Sequence, residues 1–232
     1  MASAKRPSVD LDPDVNAAYK RAMGQVVKLK RGELRDALLE YAMNAVEQGT
    51  IEVMSLRQAA RDLGVSSGAV YRHFADKESL LHEVTMVGFM DLKARFRAIR
   101  PEDAPATSLE QVVGRLHKIN ETYVKFALER TAMWHMMFGR IGAACRDKLM
   151  QDPELSHYTP FDVVLACLQE LHAFGGTRET LSEADVRYCW SAVHGAADLA
   201  QSGARLDADQ IDQVIEDTHR RNLRAIGYEG SF

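Results

Sequence analysis

Three polar side chains in one short segment of the chain are suited to binding phosphate groups. Tyr71, His73 and Lys77 closely follow Val70, which the apolar pattern predicts to be buried. Lys77 falls in the first turn of a predicted helix, where free backbone N–H groups favour an anion. A cation is unfavourable at that end of a helix unless an anion lies beside it. The spacing therefore predicts that these side chains contact one phosphate backbone.

The preceding segment has the pattern of two short helices joined by a tight turn. Ala60 is small enough for a close helix crossing, and Gly64 can adopt the sharp turn. Ser55 and Ser66 are predicted helix caps, and Ser55 forms a predicted capping box with Gln58. The small outward residues of the second helix would let its backbone enter a DNA major groove. These outward residues are Ser67, Gly68 and Ala69, with Arg72 after them.

Residues 34–84 resemble the DNA-binding domain of the TetR family of regulators. The motifs that carry the resemblance are Gly64-Val-Ser66, Val70-Tyr-Arg-His-Phe74, Asp76-Lys-Glu78 and Leu80-Leu81. The Ala60–Gly64 spacing alone would fit a tight hairpin in any helical protein, but such a hairpin does not account for the motifs that follow. The resemblance implies a helix-turn-helix that binds double-stranded operator DNA.

The resemblance also implies roles for single residues. It implies phosphate contacts for Ser66, Tyr71, His73 and Lys77, and it places Ser67, Gly68, Ala69 and Arg72 nearest the bases. The guanidinium of Arg72 fits guanine, and a phosphate contact is its alternative role. The basic residues before the first helix either reach an adjacent backbone or groove or form a solvated arm. They are Lys28, Lys30 and Arg31.

Helical periodicity continues through most of the chain, so the predicted fold is all-α. We expect an N-terminal arm over 1–27, a helix-turn-helix DNA-binding domain over 28–81 and a larger C-terminal domain over 82–232. A proline-containing loop at 100–108 follows the long fourth helix, which begins after the predicted cap Asp76. Further helices are predicted at 109–130, 132–139, 154–173, 183–203 and 208–226.

The C-terminal region contains a second motif, Trp190 and His194 followed by Gly195. Residues four apart share a helix face, and a packed core with one hydrogen-bonded histidine is the simple interpretation. The motif also resembles the Trp-His-Gly (WHG) subgroup of the TetR family, as does Met133–Gly139. This resemblance implies a pocket for a small hydrophobic or amphipathic effector, with ordinary core packing as the alternative. The candidate pocket residues are His117, Tyr123, Trp134, Met137, Phe138, Trp190 and His194.

The family resemblance further implies a homodimer formed by the helices at 183–203 and 208–226. An apolar stripe on the last helix agrees with this, although it would equally fit packing on the helix's own core. The stripe consists of Ile211, Val214, Ile215, Leu223 and Ile226.

The net charge, the catalytic motifs that are missing and the cysteine spacing bear on the other classes of protein that could have this sequence. The net charge is −4, and the charges within 28–81 cancel, so charge alone does not indicate DNA binding. No catalytic motif is present, and Cys145, Cys167 and Cys189 lack metal-ligand spacing, so we expect no enzyme, metal or cofactor. An enzyme and a purely structural helical protein remain the competing classes.

The sequence has no export signal and no membrane span, so we expect a cytoplasmic protein. We expect it to be a ligand-responsive regulator that acts as a repressor and binds a palindromic operator.

Overall fold

A computed structural model describes residues 33–151, 160–178, 181–202 and 206–230. Within these ranges every regular element is an α-helix, which confirms the predicted all-α fold. None of the helices described is long and apolar enough to cross a membrane. The helices are α1 Leu34–Glu47, α2 Leu56–Asp62, α3 Ser67–Tyr71, α4 Lys77–Ile99, α5 Leu109–Glu129, α6 Thr131–Phe138, α7 Arg140–Gln151, α8 Phe161–Ala173, α9 Glu183–Gln201 and α10 Ala208–Ala225.

Helix α7 is the element that the sequence analysis misses. It follows α6 almost directly, and the glycines at this junction suggest a break rather than two helices in close succession. A Cβ at Gly142 would lie 1.7 Å from the carbonyl oxygen of Met137, so only glycine fits this approach. The predicted start of α8 at 154 lies outside the described residues, as do the arm at 1–27 and Lys28, Lys30 and Arg31.

The chain forms two compact units. The first contains the described residues up to Asp91 and His135–Lys148, and the second contains Leu92–Trp134 and the described residues from Leu149 onward. Helices α4, α6 and α7 therefore each contribute residues to both units. The core of the first unit is built on completely or almost completely buried apolar side chains of α1 to α4 and of the segment between α3 and α4. Among them are Leu38, Ala42, Leu56, Val70, Phe74 and Leu80.

Side-chain caps begin α2 and α4. The hydroxyl of Ser55 accepts a hydrogen bond from the Gln58 N–H, and the Asp76 carboxylate accepts one from the Ser79 N–H. The second half of the predicted capping box is wrong. The Gln58 amide instead donates to Asp62 at 2.6 Å, because a carboxylate one helical turn further on is within its reach.

In the second unit, α5 packs against α8, α9 and α10. Ser182 begins α9 and Asp207 begins α10, each within a complete capping box. The apolar faces of these helices bury Val124, Phe126, Leu171, Val193 and Leu223. These caps and faces fix the helices that carry the predicted C-terminal motif.

The second unit also contains partly buried ion pairs. Glu170 on α8 lies 2.7 Å from the guanidinium of Arg100 and 3.8 Å from that of Arg115, and all three side chains are at most 14% exposed. Lys93 near the end of α4 pairs with Asp162 at 2.6 Å. These contacts tie α4 and α5 to α8 through charges that are largely removed from water.

Candidate functional site

Helices α2 and α3 form the predicted helix-turn-helix. Gly64 joins them with φ of +67°, a left-handed conformation that glycine adopts without a steric penalty. Ala60 in α2 and Val70 in α3 are completely or almost completely buried. The N–H of Val65 also donates to the Ala60 carbonyl at 2.9 Å. Ala60 therefore lies buried in α2, as a close helix crossing requires, and Gly64 forms the turn, as their residue types predict.

The outer surface of α3 is short, small and open. The Ser66 hydroxyl caps the helix by accepting a hydrogen bond from the Ala69 N–H. Ser67 and Gly68 are exposed, and no atom lies within 4 Å of the position that a Cβ on Gly68 would take. An incoming surface therefore meets little side-chain bulk along this helix.

Larger polar side chains follow at the end of α3. Tyr71 is 44% exposed, and Arg72 and His73 are exposed beside it. Phe74 anchors this end of the helix in the core, and the guanidinium of Arg35 lies 5.7 Å from its ring centroid. Of the predicted DNA contacts, Ser66, Ser67, Gly68, Tyr71, Arg72 and His73 are thus on the surface, and Ala69 is half-buried.

Lys77 is placed differently. Its ammonium donates to the main-chain carbonyls of Ile51, at 2.5 Å, and Glu52, at 3.0 Å. These two carbonyl oxygens stabilise the positive charge at the start of α4, so no phosphate is needed to explain a lysine there. The phosphate contact predicted for Lys77 is therefore no longer supported by the helix dipole, and it rests on the family resemblance.

A polar chain that the sequence analysis misses connects α1 to α2. The Tyr41 hydroxyl donates to the Asp62 carboxylate at 2.6 Å, and Gln58 donates to the other oxygen of that carboxylate. Arg61 in turn donates to Gln58. The hydrogen bond to Asp62, followed by burial, raises the pKa of Tyr41 to about 12. No sequence motif marks a pair of residues 21 positions apart, so this contact could not be predicted.

Four of the predicted pocket residues form an aromatic cluster in the second unit, namely Tyr123, Trp134, Trp190 and His194. The Trp134 and His194 rings stack with centroids 5.0 Å apart, and Trp134 meets Tyr123 edge to face at 4.9 Å. Tyr123 and Trp134 are buried, whereas Trp190 is 41% exposed. The cluster therefore has a buried base and an open edge.

Hydrogen bonds connect the polar atoms of this aromatic cluster. The Trp190 indole N–H donates to the Tyr123 hydroxyl at 3.1 Å, and that oxygen lies 2.9 Å from Nδ1 of His194. The hydroxyl has one proton and two lone pairs, so it can donate to Nδ1 or accept from it, depending on the imidazole tautomer. Nε2 of His194 lies 3.9 Å from the Asp198 carboxylate, and the Trp134 indole N–H donates to that carboxylate at 3.3 Å.

Comparison with known proteins identifies the family. A profile described as "Bacterial regulatory proteins, tetR family" matches residues 38–84, and one described as "Tetracyclin repressor-like, C-terminal domain" matches 116–221. The chain belongs to the TetR family. Members of this family are transcriptional regulators and not enzymes, which confirms the expectation drawn from the missing catalytic motifs. The assignment to the WHG subgroup stays a prediction.

Individual TetR-family proteins show the extent of the similarity. The chain is 38% identical over 95 residues to the HTH-type transcriptional repressor KstR2 of Mycobacterium tuberculosis, covering 40% of this chain and 44% of that relative. It is similar to a solved Rhodococcus sp. RHA1 protein of unknown function, with a TM-score of 0.66 and 26% identity over 84% of this chain and 96% of that one. It also shares its fold with the regulator PfmR of Thermus thermophilus, with a TM-score of 0.54 and 21% identity over 81% and 97% of the two chains.

The other three predicted pocket residues are Met137, Phe138 and His117, and the described contacts of Phe138 and His117 involve other side chains. Met137 is buried in the first unit, where Phe138 meets Phe89 edge to face at 5.8 Å. His117 instead lies 3.0 Å from Glu216, with its ring against that of His219. His117 and Tyr123 are six residues apart on α5, which is more than one helical turn and places them at different contacts.

His219 was not singled out from the sequence, although it is the most buried histidine among the described residues. Burial, followed by the neighbouring His117, lowers the pKa of His219 to about 4. The ring is therefore neutral near pH 7.

Burial disfavours the thiolate form of two of the three cysteines. Burial raises the pKa of Cys167 to about 12 and that of Cys189 to about 11. Cys145 is buried with its sulfur 3.9 Å from the His82 carbonyl oxygen. Since the thiolate is the reactive form, the first two thiols are poor nucleophiles near neutral pH. Nor do the described residues contain a group of three or more histidine, cysteine or acidic side chains able to hold a metal ion.

Proposed function

We propose that this protein is a ligand-responsive transcriptional repressor that binds a palindromic operator as a homodimer and leaves it when a small effector binds. The observation that carries this proposal is the open face of α3, where small residues are followed by exposed Tyr71, Arg72 and His73. Repression is supported by the similarity to KstR2, which is itself named a repressor.

On DNA, α3 would occupy the major groove, with Ser67, Gly68 and Ala69 allowing close approach. Ser66, Tyr71 and His73 would bind phosphates, which orient the protein without reading sequence. Arg72 would read a guanine, because its guanidinium can donate two hydrogen bonds to that base. Two copies of α3 about 34 Å apart would meet successive turns of a palindrome.

The outer face of α9 supports the homodimer. Tyr188, Gly195 and Leu199 share this face and are exposed. Among the residues that the structure describes, no atom of a neighbouring element lies within 4 Å of a Cβ built on Gly195, so none of them uses the close approach that glycine permits. By contrast, Ile215 and Leu223 on α10, and Ile226 directly after it, are buried in their own unit. We therefore place the centre of the dimer interface on α9, with α10 at its side.

We place effector binding at the aromatic cluster, where apolar rings surround a few directed polar groups. A hydrophobic or amphipathic molecule of modest size suits this chemistry. In this scheme residues 28–81 bind DNA, residues 82–232 bind effector and form the dimer, and the site of action is the cytoplasm. Helix α4 has residues in both compact units, and we propose that it transmits the conformational change caused by effector binding to the DNA-binding residues.

A DNA-binding measurement tests the proposal. The purified protein is titrated against a fluorescent duplex from DNA upstream of its own gene, and against an unrelated duplex, at several salt concentrations. Affinity for the upstream duplex should be higher and should fall steeply with salt. Tyr71→Ala and His73→Ala should each weaken binding, whereas His172→Ala, which removes an exposed histidine of α8, should leave it unchanged. Absence of binding to any duplex at low salt would contradict the proposal.

A further inference from the structure

Asp198 on α9 lies beside the aromatic cluster with its carboxylate open to solvent. The Trp134 indole N–H donates to its Oδ1 at 3.3 Å, and because Trp134 is buried this contact fixes the carboxylate against the base of the cluster. Its Oδ2 lies 3.9 Å from Nε2 of His194, which is too long for a hydrogen bond. The side chain of Asp198 is 59% exposed, so a molecule arriving from solvent can reach that oxygen.

The charge of Asp198 has no lysine or arginine partner. Among the residues that the structure describes, no basic side chain other than the imidazole of His194 lies within ion-pair distance of this carboxylate. Glu183 and Arg187, which precede it on the same helix, pair with each other at 2.9 Å. The charges of that pair cancel, so this stretch of α9 presents one uncompensated negative charge.

Aromatic rings lie on the same side of α9 as this carboxylate. Trp190, His194 and Asp198 follow one another at four-residue intervals, so they line one side of the helix over about 12 Å. Trp190 is 41% exposed, and its ring centroid lies 5.4 Å from that of His194. The face of an indole ring carries partial negative charge and attracts cations. This side of the helix therefore offers an apolar ring at one end and a carboxylate at the other.

Together these groups favour one sign of charge in a ligand. A cation is attracted both by the carboxylate and by the ring faces. An anion is repelled by the same groups. The two indole N–H groups, those of Trp134 and Trp190, cannot offset that repulsion, because each already donates its single hydrogen within the cluster. A neutral apolar molecule would gain only from burial against the rings.

We propose that Asp198 makes the aromatic cluster a binding site for an organic cation. The ligand is an amphipathic molecule whose apolar body lies against Trp190 and whose protonated amine binds the Asp198 carboxylate. This inference rests on the proposed function, because it names the chemical class of the effector.

Calorimetric titration with three ligands that share one phenylbutyl body tests the inference. 4-Phenylbutylamine is protonated at neutral pH, 4-phenylbutanol is neutral and 4-phenylbutanoate is anionic. The amine should bind about tenfold more tightly than the alcohol, because only the amine gains from the carboxylate and from cation–π attraction. The anionic ligand should bind more weakly than the alcohol.

Substitutions locate the charge preference. Asp198→Asn removes the charge but keeps an oxygen that can accept from Trp134, so it should weaken binding of the amine by about tenfold and that of the alcohol by less than about twofold. Asp209→Asn is the matched control, because it removes the same charge from an exposed position on α10, and it should leave both affinities unchanged. Trp190→Ala should weaken binding of both ligands. Circular dichroism of each variant establishes that it is folded.

Three results would overturn the inference. The first is an amine that does not bind, or that binds no more tightly than the alcohol or the anionic ligand. The second is wild-type affinity for the amine in Asp198→Asn. The third is an equal loss in Asp209→Asn, which would show that only the overall charge of the protein matters.

Failure of the proposed function would look different. The amine would then bind with the predicted dependence on Asp198, yet a saturating concentration would not weaken binding of the wild-type protein to a duplex that it selects from a random-sequence pool. Conversely, the proposed function would stand and the inference would fall if the alcohol released this duplex as effectively as the amine and bound as tightly.

Discussion

At the scale of single residues, Glu170 is a largely buried carboxylate whose charge depends on two arginine partners. Its carboxylate lies between the guanidinium groups of Arg100 and Arg115, and each of the three side chains is at most 14% exposed. Charges removed from water are stable only while their partners remain. Arg115 also donates to the Ala104 carbonyl at 2.9 Å, which attaches the loop before α5 to the same cluster.

Replacing Glu170 by glutamine should therefore be strongly destabilising. The change leaves two arginines without their shared carboxylate, and losing one partner of a buried pair costs about 3–5 kcal/mol. Urea unfolding followed by circular dichroism measures the difference. Glu129→Gln is the matched control, because Glu129 pairs with Arg95 but is 56% exposed, and it should change stability by less than about 1 kcal/mol. Equal effects of the two substitutions would contradict this account of Glu170.

The residues that the sequence could identify are those whose role is local. Ser66 and Gly64 act on backbone groups a few positions away, so their types and spacing suffice to predict a cap and a turn. Lys77 and Glu170 depend on partners 26 and 70 residues away, and nothing near them in sequence indicates those partners. The prediction for Lys77 considered only its own helix, which is why it required an external anion.

At the scale of elements, the connection between α2 and α3 depends on one backbone conformation. Gly64→Ala should destabilise the protein by about 1–2 kcal/mol, because a Cβ is disfavoured at a φ of +67°. Gly68→Ala is the matched control, since Gly68 is helical and a Cβ there meets no atom within 4 Å. It should raise stability by up to about 1 kcal/mol, because alanine favours the helix. Thermal unfolding of the two variants should therefore shift in opposite directions, and a loss with Gly68→Ala would count against this account.

The contact between α5 and α10 should make stability depend on pH through His219. Its folded-state pKa, about 4, lies below the unfolded value of 6.5, so the unfolded chain takes up a proton first as the pH falls. The free energy of unfolding should thus decrease between pH 6.5 and 4, by at most about 1.4 kcal/mol per pH unit from this group.

The measurement is urea unfolding of the wild type and of His219→Gln across that range. Carboxylates titrate in both proteins, so the difference between the two curves isolates His219. His172→Gln, which removes an exposed histidine, should follow the wild type. If the free energy of unfolding varied with pH in the same way for the wild type and His219→Gln, His219 would not contribute to the pH dependence of stability.

Periodicity predicts helices well where apolar residues recur and a cap begins the helix, as in α5, α9 and α10. Helix α7 lacks those signals. The glycines beside it read as helix breakers, whereas Gly142 is required by the tight approach of α7 to the end of α6. That requirement comes from packing between elements and is not encoded in the local pattern.

At the scale of the whole molecule, the proposed dimer depends on the open face of α9. A Cβ at Gly195 meets no atom within 4 Å among the described residues, so we expect Gly195→Leu to leave the single chain folded, whereas the larger side chain would separate two closely packed helices. We expect this variant to sediment as a monomer at concentrations where the wild type is dimeric. Gly114→Leu, at an equally open and exposed position on α5, should remain dimeric. A dimeric Gly195→Leu variant would place the interface elsewhere.

The sequence named all four residues of the aromatic cluster, together with three others. Tyr123, Trp134, Trp190 and His194 are joined by direct contacts. Met137 and Phe138 belong to the other compact unit although they lie within four residues of Trp134. Nearness in sequence is a weak guide here, because α6 has residues in both units.

The aromatic cluster has a practical consequence for spectroscopy. The chain contains two tryptophans, and both belong to the cluster. Trp134 stacks on an imidazole in a buried setting, whereas Trp190 has an indole that is 41% exposed and hydrogen-bonded to Tyr123. The intrinsic tryptophan emission of the protein therefore originates entirely at this one location. A compound that entered there would alter the wavelength or intensity of that light, so candidate effectors can be screened without any attached dye.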